Sequence, residues 1–92
     1  MFQRGDKVFC VHHNYPRYDI REGNYEELTP WGYHEVTTQP PHGGFWYDVN
    51  DNRVFKTEGE ARARRLELII EDDLRRLHLL VEQIARFVNR EE

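Results

Sequence analysis

The sequence predicts an α+β fold: a small antiparallel barrel or bent sheet of four or five short strands over residues 1–56, then a long amphipathic helix over 57–92. Three observations carry this. Over the first 56 residues, β-branched and aromatic runs are separated by Gly, Pro and Asn turn signals. From Thr57 onward there is no Pro, and the only Gly is Gly59, in the first helical turn. The apolar residues of that last third recur three and four positions apart, as on one side of a helix.

Arg4-Gly5-Asp6 reads as a turn that launches a first strand, Lys7 to His13. Asn14 to Arg17 is a loop, because Pro16 cannot donate to a sheet ladder. Tyr18 to Glu22 reads as a second short strand, and Gly23-Asn24 as a turn. Tyr25 to Leu28 is open between strand and loop, and Thr29-Pro30-Trp31-Gly32 is a loop. Tyr33 to Thr38 is the third strand. Pro40-Pro41-His42-Gly43-Gly44 is a connector, Phe45 to Val49 the fourth strand, Asn50-Asp51-Asn52 a hairpin turn, and Arg53 to Lys56 a short fifth strand.

The helix opens with Thr57 and Glu60, the spacing of a capping box, in which each side chain satisfies the other residue's backbone N–H. With Ile70 as origin and 100° per residue, Ala63, Leu66, Ile70, Leu74, Leu77, Val81, Ile84 and Val88 lie within about 40° of one line. Ile69, Leu80 and Phe87 widen this stripe, and arginines and acids occupy the other side. The helix is a rod of about 50 Å, too long for so small a β head to cover. It therefore pairs with a second copy or folds back, with Glu71-Asp72-Asp73 as the place for a break near Asp72. Six of the stripe residues, Ile70, Leu74, Leu77, Val81, Ile84 and Val88, keep the alternating spacing of a coiled-coil seam and are assigned to self-association.

Gly5-Asp6-Lys7-Val8-Phe9 resembles the first strand of SH3-like barrels, where a Gly-Asp turn precedes alternating apolar residues. Val54-Phe55-Lys56-Thr57-Glu58-Gly59-Glu60-Ala61 resembles the strand-to-helix junction of small uncharacterised bacterial and phage-type proteins. The two stretches cover about a dozen positions and imply a fold only, with no functional residue carried over.

A chain of 92 residues with 33% charged and 38% hydrophobic content has room for one modest core. Its net charge of −4 argues against indiscriminate binding to polyanions. The single Cys10 cannot form an internal disulfide and fits a reducing, cytoplasmic setting. No apolar leader and no 18-residue apolar run is present, so neither secretion nor membrane spanning is expected.

Candidate chemistry is sparse. Cys10 and His12 share one face of a strand, the first requirement for joint metal ligation or a thiol–imidazole pair. No set of close, convergent spacings follows it, and Cys10 lies mid-strand rather than in an electropositive helix start. The chain contains no Ser and no phosphate-binding glycine loop. No catalytic residue, metal or cofactor is therefore assigned. Arg62, Arg64 and Arg65 offer a basic cluster for nucleic acid, offset by the neighbouring acids Glu58, Glu60 and Glu67. The aromatics exceed what a small head can enclose; they read as a thick core closing the barrel, as a platform for stacked bases, or as a partly exposed surface for an extended peptide, to which Tyr18, Trp31, Tyr33 and Trp46 are assigned. The expectation is a non-catalytic interaction module that is homodimeric through its helix and binds a further protein. A nucleic-acid-associated regulator is the second reading, and a metal or thiol enzyme the third.

Overall fold

The computed structural model describes residues 1–38 and 43–90, which form five antiparallel strands followed by one long helix. The strands are β1 (Lys7–Asn14), β2 (Arg17–Leu28), β3 (Tyr33–Thr38), β4 (Gly44–Asp48) and β5 (Val54–Phe55), and the helix is α1 (Glu58–Arg90). The sheet order is β4-β3-β2-β1-β5, an open ladder with β4 and β5 at its edges. Most of the connector at 40–44, and Glu91 and Glu92, lie outside the described residues.

Gly23-Asn24 is not a turn. β2 runs straight through it, with Gly23 beside Val8 of β1 and beside Thr38 of β3. A Cβ at Gly23 would lie 2.7 Å from the Thr37 carbonyl oxygen and 2.9 Å from Val36 Cγ1. Glycine is there for close backbone approach inside the sheet, a use that resembles a turn signal in one dimension.

Asn50 to Asn52 is not a hairpin either. Asp48 accepts from the Asn50 N–H at 2.9 Å and caps a short 3₁₀ turn, Val49–Asp51. Asn52 is left-handed, with φ 52°. β5 does not pair with β4: it crosses to the opposite edge, where Phe9 faces Phe55 and Cys10 faces Val54.

The open ladder is strongly bent. In a flat sheet β1 and β4 would be three strand spacings apart, about 14 Å. Yet His12 Nδ1 of β1 lies 3.0 Å from the Tyr47 hydroxyl of β4, and the His12 and Phe45 rings are 4.6 Å apart. The inner face therefore encloses one cluster drawn from all five strands: Val8, Cys10, Tyr25, Val36, Tyr47 and Val54.

A second cluster lies on the outer face. Phe9, Val11, Tyr18, Ile20 and Phe55 pack there against Ala61, Leu68 and Ile69 of α1. Strand alternation assigns alternate residues of β1 to the two clusters, Val8 and Cys10 inward, Phe9 and Val11 toward the helix. The Glu60 N–H donates to Thr57 Oγ1 at 3.3 Å, one half of the expected cap. In the other half, the Thr57 hydroxyl donates to Glu60 Oε1 at 2.7 Å, so the Glu60 carboxylate engages the side chain rather than the Thr57 N–H. α1 then runs unbroken through Glu71-Asp72-Asp73, so neither a break nor a fold-back occurs.

The two glycines give opposite expectations in chemical denaturation. Gly23→Ala must displace backbone and lowers stability by about 1–3 kcal/mol. Gly59→Ala meets no atom within 4 Å, sits in a helical turn, and raises stability by about 0.5–1 kcal/mol.

Candidate functional site

The face of α1 that docks on the sheet is opposite its apolar stripe. Ala61 and Leu68 are buried, and Arg64, Arg65 and Asp72 half-buried. At 100° per residue these lie about 180° from the Leu66–Ile70–Leu74 line. Polar contacts clamp this face: Arg65 Nε donates to the Tyr18 carbonyl at 2.7 Å, and the Tyr18 hydroxyl donates to Asp72 at 2.8 Å. Arg64 donates to the carbonyls of Asn52 and Asp51 and pairs with Glu67 at 3.1 Å. Two of the three clustered arginines are thus spent within the chain, and Arg62 pairs with Glu58 at 2.7 Å.

Apart from its flanking Ile69, the stripe stays in water along its length. Leu66, Ile70, Leu74, Leu77, Val81, Ile84 and Val88 are each at least 53% exposed, and Leu80 and Phe87 beside them are equally bare. Every described side chain from Asp73 to Asn89 is exposed. Geometry alone would predict that a small head covers part of the stripe. It covers only the flanking Ile69, because short Ala61 permits close approach on the other face and the arginines there find carbonyl partners.

The four aromatics assigned to a surface separate into two groups. Tyr18 is only 6% exposed, held under α1, and is not part of the surface. Its outward pointing in β2 is legible from alternation, but the helix that covers that face is not. Trp31 and Trp46 remain 62% and 59% exposed, with rings 6.1 Å apart in an edge-to-face pair. Tyr33 is half-buried beside them. His13, Tyr33, Trp46, Asp48 and Arg53 line a shallow groove on the same side. Trp31 reaches Trp46 because the loop carrying it is tied to the end of β4, where the Val49 N–H donates to the Gly32 carbonyl at 3.1 Å. Glu35 is directly across from Trp46 in the ladder.

Cys10 and His12 do share the inner face, and Tyr47 joins them. Cys10 has no exposed surface, and burial pushes its thiol up to about 12, with the neighbouring Tyr47 hydroxyl opposing. The thiol is protonated and inaccessible at neutral pH. Burial, then the charge of Arg21, holds His12 below the usual histidine range. His34 is likewise lowered by burial, with Nδ1 2.8 Å from the Tyr25 hydroxyl. Tyr47 and Tyr25 escape one-dimensional reading as partners of histidine because each pair joins different strands. Among the described residues, no group of three His, Cys, Asp or Glu side chains converges as metal ligands, and no helix is long and apolar enough to cross a membrane.

Comparison of the chain with protein families, curated proteins and solved structures returns no match.

The two histidines predict acid sensitivity. In the folded state both take up a proton at lower pH than in the unfolded chain, where an ordinary histidine does so near 6.5. The unfolded state then binds more protons, so stability is full above pH 6.5 and declines as pH falls below it. Unfolding midpoints measured from pH 7.5 to 5 should show this decline, and a His12→Gln/His34→Gln variant a flatter one.

Proposed function

We propose that this protein is a non-catalytic interaction module: a homodimer joined through the apolar stripe of α1, whose β head offers Trp31 and Trp46 to a protein partner. The observation that carries the reading is the bare stripe. A lone amphipathic helix gains its stability from covering its apolar side, and the docked face of α1 is the other one. Each stripe residue left in water forgoes about 1.5–3 kcal/mol of burial. Packing against a second copy recovers this along the seam from Ile70 to Val88.

The head supports the second half of the reading. Five antiparallel strands bent around one core fit a small SH3-like barrel, the likeness suggested by Gly5-Asp6-Lys7-Val8-Phe9. Modules of that kind take extended peptides on aromatic-lined surfaces, and the paired tryptophans and adjoining groove offer such a surface. Nucleic acid is the weaker alternative, since Arg64 and Arg65 already donate to carbonyls of their own chain. The enzyme reading is weaker again, with Cys10 both protonated and enclosed.

Leu77→Asp tests the proposal. The substitution places a charge in the seam but far from the docked face. Sedimentation equilibrium should show dimer for the native chain and monomer for the variant. The near-ultraviolet signal of the head should persist, while far-ultraviolet ellipticity falls by roughly half of the α1 contribution, as the undocked half of the helix frays. A native monomer, or a variant that stays dimeric, would refute it.

A further inference from the structure

We infer that the two copies pair antiparallel along α1, with the molecular two-fold near Leu79, so that Leu77 of one copy meets Val81 of the other and the two β heads stand at opposite ends. This rests on the self-association proposed above.

The register follows from the seam. Ile70, Leu74, Leu77, Val81, Ile84 and Val88 are symmetric about their midpoint. Reversing a second copy about that point puts Ile70 opposite Val88, Leu74 opposite Ile84, and Leu77 opposite Val81. Each layer then joins two different seam positions, and the interface is self-complementary, as a two-fold dimer requires. Leu80, on the flank of the seam and more than half exposed, meets its own counterpart beside the axis.

Charge selects this direction over the parallel one. From Glu58 to Asp73 the helix carries six acids against three arginines, and from Leu74 to Arg90 four arginines against one acid. Glu71 and Asp73 flank the seam on either side of Asp72. In a parallel pair, Glu71 and Asp73 of both copies stand at one level, within about a Debye length of each other. In the antiparallel register, Glu71 and Asp73 lie opposite the uncharged Phe87 and Ala85, and the two acidic levels stand about 21 Å apart along the rod, beyond a Debye length. The helix dipoles also oppose rather than add.

The docked head does not obstruct this. Ala61, Leu68 and their sheet partners lie on the far side of α1 from the stripe, so the C-terminal half of the second copy can lie along Ile70 and Leu74 without touching the first head. The result is a central two-helix rod with a Trp31–Trp46 surface at each end.

Asn89 is exposed, off the seam and distant from the head, so a spin label there reports direction without disturbing packing. Native Cys10 is buried and stays unlabelled. In the full-length Asn89→Cys protein, pulsed dipolar spectroscopy should give one inter-label distance near 30 Å, from about 20 residues of axial separation at 1.5 Å each. A distance of roughly 15 Å or less would mean a parallel pair and overturn the inference while leaving self-association intact. A monomer in sedimentation, with no dipolar signal, would overturn both. As a second readout, oxidation of mixed Leu77→Cys and Val81→Cys proteins should cross-link one to the other, with neither linking to itself. Self-linking of each variant alone would contradict the antiparallel register.

Discussion

The rest of the molecule depends on which side of α1 meets the sheet. Ala61, Arg64, Arg65, Leu68 and Asp72 make the contact, through a methyl-sized approach, two arginines on backbone carbonyls, an apolar anchor and a carboxylate on the Tyr18 hydroxyl. A helix has one circumference. Using this side for the head leaves the Leu66–Val88 stripe facing away, so the exposed apolar surface is a direct consequence of the docking. The elongated envelope, 63 × 27 × 26 Å, follows as well, since the head supports only the first half of the rod.

The bend of the sheet is the complementary constraint. A flat five-stranded sheet offers two faces and needs two covering layers, but α1 supplies one. Curling brings β1 against β4, so the inner face covers itself and leaves only the outer face of β1, β2 and β5 for the helix. Gly23 allows the close approach within this curl, and Arg21, with its guanidinium 4.9 Å from the Phe45 ring, spans the gap from β2 to β4. Inside, the polar atoms that the bend would strand find partners: His12 with Tyr47, and His34 with Tyr25. The outer face of β3 and β4 has no helix over it, and there Trp31 and Trp46 stay exposed.

Much of this was legible in the sequence wherever the determining interactions are local. Alternation correctly places Cys10 and His12 on one face of β1, and Thr57 marks the helix start within one residue. The uninterrupted 3–4 spacing identifies α1. Misreadings arise where one residue type serves two purposes. Gly23 and Asn50–Asn52 carry turn chemistry, but one lies inside a strand and the other begins a crossing between sheet edges, choices set by strands distant in sequence. Tyr18 looks like a surface aromatic until the helix side that covers it is known. That side is hard to see beforehand, because it is written in Arg64 and Arg65, residues that also read as a solvated charged face.

The central claim is that α1 has two sides with two owners, the head on one and a second copy on the other. Amide hydrogen exchange followed along α1 at several protein concentrations tests it most directly. Protection over residues 58–72 should be independent of concentration, since the same chain supplies it, while protection over 73–90 should rise as concentration rises and fall to that of a frayed helix on dilution. Equal, concentration-independent protection along the whole helix would contradict the account.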